Sequence, residues 1–113
     1  MKVQLEKNLL DYMHDHHKHV IALRLLHDYY SGYSANSKYP KIRFKKPRHD
    51  DDYEMYTVDD ITVYVEKDIP TLDGQITFSD ERHLGFHSCH VEGLDIKMLN
   101  DTAWNGNYYS ADD

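Results

Sequence analysis

Apolar and polar residues alternate most regularly over residues 53–66, YEMYTVDDITVYVE, and this alternation predicts a β-hairpin. A turn at Asp59-Asp60 sorts the side chains onto two faces. The pairs on one face would be Val58–Ile61, Tyr56–Val63 and Glu54–Val65, and those on the other Thr57–Thr62 and Met55–Tyr64. A slip of one residue would mix the two faces, so the pattern specifies the register. The many β-branched and aromatic residues suit a half-buried strand pair.

Shorter stretches of the same character predict further strands. They are residues 2–5, 42–45 with Ile42 and Phe44 inward, 75–79 with Ile76 and Phe78 inward, and an extended stretch over 83–93. Residues 31–40 are predicted to form a loop, because they contain the breakers Gly32, Asn36 and Pro40.

A helix is predicted over residues 6–17, where one face is largely apolar: Leu9, Leu10, Tyr12, Met13 and His16. The next segment, residues 19–30, fits two patterns. As a helix it would continue the first one to Tyr30, and as a strand it would be buried on both faces. Periodicity alone leaves both interpretations open.

The chain is acidic, with 13 Lys and Arg against 20 Asp and Glu and a formal charge of −7. This balance argues against non-specific nucleic-acid binding, because phosphates would be repelled. A basic run over residues 41–48, KIRFKKPR, opposes the overall sign. Its alternation is more typical of a solvated strand face than of a docking patch. The single cysteine suits a reducing compartment, and no apolar run is long enough for a membrane helix. A cytoplasmic protein without a membrane segment is therefore predicted.

Two histidine clusters are candidates for chemistry. His14, His16, His17 and His19 lie around the end of the first helix. Imidazoles at helical spacing can bind zinc, copper or nickel, but cationic histidines also favour a solvated helix C-terminus. The sequence leaves both interpretations open.

The second cluster contains His83, His87, Cys89 and His90. On a strand, His87 and Cys89 point to the same side, so they are the predicted metal ligands or a reactive Cys–His pair. The alternative is that Cys89 is a small buried apolar residue beside Val91. Without a phosphate-binding, zinc-protease or nucleophile-elbow motif, no enzyme is predicted.

The abundance of histidine also predicts a pH effect. If His27 and His87 are buried as neutral imidazoles, the unfolded chain binds more protons, and stability should fall on acidification.

Three runs together resemble a known family: YPKIRFKKP at 39–47, YEMYTVDDITVYVEK at 53–67 and VEGL at 91–94. They resemble the HesB-like group, which is similar to the A-type iron–sulfur cluster scaffolds, and within it a branch with a paired Cys or selenocysteine motif. The resemblance implies an α+β, mainly β single domain of HesB-like type over residues 1–99, with one N-terminal helix packed on a mixed sheet. Residues 100–113 would be a polar tail, partly disordered. It also favours the strand interpretation of residues 19–26.

The chain departs from that branch where the thiol pair would lie, at Asp28-Tyr29-Tyr30-Ser31-Gly32. One cysteine is too few for an iron–sulfur cluster, so none is expected. Two functions are predicted. One is an iron–sulfur-biosynthesis-like protein that has lost the usual cysteine ligands and binds a divalent metal or a partner. The other is a non-enzymatic interaction module that binds a protein partner, and neither nucleic acid nor membrane, through a tyrosine-rich surface of Tyr29, Tyr30, Tyr33 and Tyr39.

Overall fold

A computed structural model describes residues 1–27, 38–96 and 106–108. In chain order the elements are β1 (Lys2–Leu5), α1 (Lys7–Asp15), β2 (Val20–His27), β3 (Lys38–Arg43), a 3₁₀ turn (Asp50–Asp52), β4 (Tyr53–Val58), β5 (Ile61–Glu66), β6 (Gln75–His83), β7 (Phe86–Glu92) and β8 (Gly106–Tyr108). The described strands form sheet A, in the order β1-β6-β7-β8, and sheet B, in the order β3-β2-β5-β4. The described residues form a small, mostly β domain with one N-terminal helix.

The predicted hairpin is confirmed in its bounds and in its register. β4 pairs antiparallel with β5, and the opposed pairs are Val58–Ile61, Thr57–Thr62, Tyr56–Val63, Met55–Tyr64 and Glu54–Val65. The inward residues of β5, Ile61, Val63 and Val65, have no exposed surface. The turn places Asp59 at φ 53°, a left-handed conformation that Asp tolerates better than most residues.

The segment that fitted both a helix and a strand is a strand. β2 pairs in parallel with β5 and antiparallel with β3, so it lies inside sheet B. Ile21 and Leu23 are fully buried on its inner side. The helix ends at Asp15, and His17 at φ 55° turns the chain into β2, so a continuous helix to Tyr30 is wrong. Tertiary pairing has overridden the local helix propensity.

The core combines residues from α1 and both sheets. Leu9 and Met13 of the helix, Phe78 of β6 and Cys89 of β7 have no exposed surface. They join the buried residues of sheet B in one cluster. At the start of the helix, the Glu6 N–H donates a hydrogen bond to the Phe78 carbonyl at 2.9 Å. This bond holds the N-terminal end of α1 against β6.

The prediction of a single mixed sheet is wrong, because residues 75–79 belong to sheet A, whereas the predicted strands at 19–26, 42–45 and 53–66 belong to sheet B. β6 pairs in parallel with β1 and antiparallel with β7. The predicted strand at 42–45 begins earlier, at Lys38, and ends at Arg43, with Ile42 and Phe44 buried as expected. Residues 38–40 of the predicted loop belong instead to β3, and residues 106–108 of the predicted tail form β8; the rest of the loop and tail lies outside the described residues. None of the described helices has the length and apolarity of a membrane span.

Candidate functional site

The predicted metal ligands, His87 and Cys89, lie on the inner side of β7 but in different surroundings. The Cys89 side chain has no exposed surface and belongs to the core cluster. His87 Nδ1 contacts the Asp80 carboxylate, at 3.0 Å from Oδ2 and 3.2 Å from Oδ1. Among the described residues no three of the His, Cys, Asp and Glu side chains stand close enough to hold a metal ion. Metal binding by His87 and Cys89 therefore stays a prediction, and the described residues supply no third ligand for it.

His87 and Asp80 join the helix to sheet A. The Asp80 side chain is 9% exposed and that of His87 25% exposed. The Tyr12 ring of α1 lies 4.8 Å from the His87 ring, and burial, with a further contribution from Asp80, raises the pKa of Tyr12. His87 has a carboxylate partner, and the side chain of His27 lies outside the described residues. The fall of stability on acidification that was expected from these two histidines stays a prediction.

The histidines after the helix also find partners. His14 Nε2 lies 2.8 Å from Asp60 Oδ1, and His19 Nδ1 lies 3.6 Å from Asp60 Oδ2. The hydrogen bond to Asp60 raises the pKa of His14, and the same bond lowers the pKa of Asp60. His16 stacks on Tyr12 with 4.1 Å between ring centroids. The two contacts of Asp60 tie the end of α1 and the start of β2 to the β4–β5 turn, which favours a structural role.

Most of the proposed tyrosine surface lies outside the described residues. Only Tyr39 is described, on β3 opposite Leu26. Binding through Tyr29, Tyr30 and Tyr33 stays a prediction.

A basic groove with a volume of about 640 Å³ lies on the side of sheet B that faces away from the core. Ala22 and Leu26 line it together with Pro47 and Tyr53. Its cationic side chains are Arg24, Lys41, Arg43, Lys45, Lys46 and Arg48, and its acidic ones are Asp52 and Glu66. Six of the thirteen Lys and Arg residues thus line one groove of an acidic protein. We call this set of residues the basic groove.

The sheet brings cations from two strands together in this groove. Arg24 of β2 lies directly opposite Lys41 of β3, and Arg43 follows two residues further along on the same side. Like charges directly opposed on neighbouring strands repel each other. Within the described part of the chain, no ion pair is formed by four of these cations: Arg24, Lys41, Lys45 and Arg48. Lys46 does form one, with its Nζ 3.4 Å from Asp50 Oδ2.

The connection between β3 and β4 encloses the groove. These strands form the two opposite edges of sheet B, so residues 44–52 must cross from one edge to the other. Phe44 anchors the start of the crossing in the core, and Lys67 N–H donates to the Asp52 carbonyl at 2.9 Å at its end. The basic run was predicted to be a solvated strand face. In the structure, only its first part is on the strand, and the rest forms a wall of the groove.

Glu66 is one of the two acidic residues of the groove, and the fold holds its carboxylate in place. Its Oε1 accepts a hydrogen bond from the Leu25 backbone N–H at 3.1 Å. One carboxylate is therefore fixed beside Arg24, so the groove offers an acceptor as well as its cations.

Comparison with protein families gives a match over residues 1–94. The chain belongs to the CC/Se motif containing family. No curated protein and no solved structure matches it. The family's name refers to a CC/Se motif, but in this member the single cysteine, Cys89, stands between Ser88 and His90, so no two cysteines are adjacent.

The assignment to the HesB-like group is wrong, because the matching family is the CC/Se motif containing family and nothing connects the chain to HesB-like iron–sulfur biosynthesis. The resemblance rested on a strand that begins at a proline, on a tyrosine-rich hairpin and on the short run VEGL at 91–94. Such patterns reflect alternation in a half-buried sheet, which unrelated β proteins share.

Proposed function

We propose that this chain is a non-enzymatic binding module that holds an anionic group of a partner in the basic groove. The observation that carries the proposal is the separation of charge. The groove concentrates six cations and two acidic residues, and the remaining seven Lys and Arg are outnumbered by eighteen Asp and Glu elsewhere. A concave basic surface on an acidic protein attracts anions locally.

The energetic cost of the arrangement supports binding over a purely structural role. Opposed like charges such as Arg24 and Lys41 reduce the stability of a strand pair, and an acidic residue at position 41 would instead attract Arg24. A bound anion would neutralise both side chains at once. The cytoplasmic location stays a prediction that rests on the single cysteine.

The buried position of Cys89 supports the non-enzymatic part of the proposal. A reactive thiol needs access to its substrate, and this one has no exposed surface. Asp80, which contacts His87, is itself nearly buried beneath α1. This pairing fits a contact that joins the helix to sheet A.

Isothermal titration calorimetry with inorganic triphosphate, a compact polyanion, tests the proposal. The double variant Arg24→Glu/Lys41→Glu should lose at least tenfold in affinity, and binding to the wild type should weaken as salt is raised. The matched control is Lys2→Glu/Arg82→Glu, which makes the same change in net charge at two exposed cations of sheet A. An equal loss in both variants would mean that net charge alone governs binding, and the groove would have no specific role.

A further inference from the structure

We infer that the occupant of the basic groove is an acidic segment of a protein partner, bound in an extended conformation. This inference rests on the proposed function and specifies the chemistry of the partner. Three properties of the groove favour a peptide over a nucleic acid or a free anion.

The first property is the mixture of charges. Besides its cations the groove presents the carboxylates of Asp52 and Glu66. A peptide supplies carboxylates for the cations and backbone N–H donors for these two acceptors. Inorganic phosphate and a phosphodiester backbone supply acceptors for the cations but no donors for the two carboxylates, so they should bind the groove less tightly than a peptide.

The second property is the apolar lining. Ala22, Leu26 and Pro47 line the groove between its charges. An extended peptide directs alternate side chains to opposite sides, so carboxylates and apolar side chains can be interleaved along it. Lys41 and Arg43 lie on one side of β3 at that same two-residue period, about 7 Å apart.

The third property is the small extent of the basic surface. The cations lie on β2, on β3 and in the adjoining crossing, while the rest of the molecule is strongly acidic. A long polyanion would continue beyond the groove and meet repulsion, whereas a segment of about six residues spans only some 20 Å.

Fluorescence anisotropy with labelled probes of equal length tests this inference. The probes are a peptide of alternating Glu and Val, a peptide of alternating Lys and Val, and an oligothymidylate; unlabelled triphosphate is used as a competitor. We expect the Glu-Val peptide to bind at least tenfold more tightly than the other two. Its binding should be lost in Arg24→Glu/Lys41→Glu and should change less than twofold in Lys2→Glu/Arg82→Glu.

Other results would overturn the acidic-peptide inference alone or the proposed function with it. Tighter binding of oligothymidylate would overturn the acidic-peptide inference in favour of nucleic acid. If triphosphate binds at the groove and the Glu-Val peptide does not, the inference fails while the proposed function stands. If neither binds, or if the groove variant binds as the wild type does, both fail. Far-ultraviolet circular dichroism of each variant shows whether it is folded.

Discussion

Arg24 and Lys41 face each other on two hydrogen-bonded strands, and neither forms an ion pair within the described residues. Stability alone would favour opposite charges at these two positions. At the scale of single residues, this pair is the observation that best supports the proposal that the exposed face of sheet B binds an anion.

The Lys41→Glu substitution should stabilise the free protein. It replaces repulsion by a cross-strand attraction to Arg24, for which we expect a gain of about 0.5 kcal/mol in the free energy of unfolding at low salt. Lys41→Gln, which only removes the repulsion, should give a smaller gain. Urea denaturation measures both, and a Lys41→Glu protein less stable than the wild type would contradict the repulsion.

Gly93 is required by a close approach of two backbone segments. It adopts φ +101°, and a Cβ there would stand 2.2 Å from the Gln75 carbonyl oxygen. Gly93→Ala should therefore cost about 3 kcal/mol or more, from backbone strain and the clash together. Gly74→Ala is the matched control, since it has φ +76° and no atom within 4 Å of its Cβ position. Gly74→Ala should lower the free energy of unfolding by about 1 kcal/mol in the same denaturation experiment. Equal losses in the two variants would show that the backbone around Gly93 and Gln75 can move apart at no cost.

The ion pair of His14 and Asp60 should give a defined pH dependence. The pKa of His14 is raised above 6.5, so its contribution to stability is complete below pH 6.5 and is lost as pH rises through the folded value. The pKa of Asp60 is lowered below 3.8, so its contribution is present above that pH and is lost as pH falls through the folded value. Both contributions coexist between about pH 4 and 6.5.

Thermal melts of His14→Gln should therefore show the largest loss relative to wild type near pH 5.5 and a smaller one near pH 8.5. Asp60→Asn should give a similar profile, and the double variant should lose less than the two single variants added together. A loss that is constant with pH would show that the contact does not depend on the charge of the imidazole.

At the scale of elements, α1 is joined to β6 by a side chain as well as by core packing. Asn8 Nδ2 donates to the Asp80 carbonyl at 2.7 Å, and the Asp80 N–H donates to Asn8 Oδ1 at 3.2 Å. Asn8→Ala removes both hydrogen bonds and should cost about 1 kcal/mol. The neighbouring Lys7→Ala removes only an exposed ion pair with Asp11 and should cost below about 0.5 kcal/mol. The joining role of Asn8 would be refuted if both variants unfolded at the same urea concentration.

The strands that the sequence predicts best are those whose pairing partners lie close to them along the chain. The β4–β5 register followed from the alternation of Val58, Tyr56 and their partners, because only one register separates the two faces. β2 was ambiguous, because its strand partners β3 and β5 lie further along the chain and local propensity favours a helix. The division into two sheets depends on the parallel pairing of β1 with β6, which no local pattern indicates.

At the scale of the whole molecule, many of the basic side chains are gathered in one groove and most acidic ones lie elsewhere. The composition alone does not show this separation. The basic run was visible in the sequence, but its role depends on Arg24, which a different strand supplies, and on the crossing of residues 44–52 over sheet B. One signal was present. Arg24 interrupts the apolar run of residues 20–26, and a charge there marks the side that faces away from the core. The enclosure itself could not be predicted, because it arises from tertiary structure.

The central claim is that the basic groove is the binding surface, and nuclear magnetic resonance tests its location directly. Unlabelled Glu-Val peptide is titrated into uniformly ¹⁵N-labelled protein, and backbone amide shifts are followed. The account predicts that the largest changes fall on β2 near Arg24, on Lys41 and Arg43, and in the crossing at residues 44–52. It is contradicted if the shifts concentrate instead on α1, on the β6–β7 hairpin or on the Asp59-Asp60 turn.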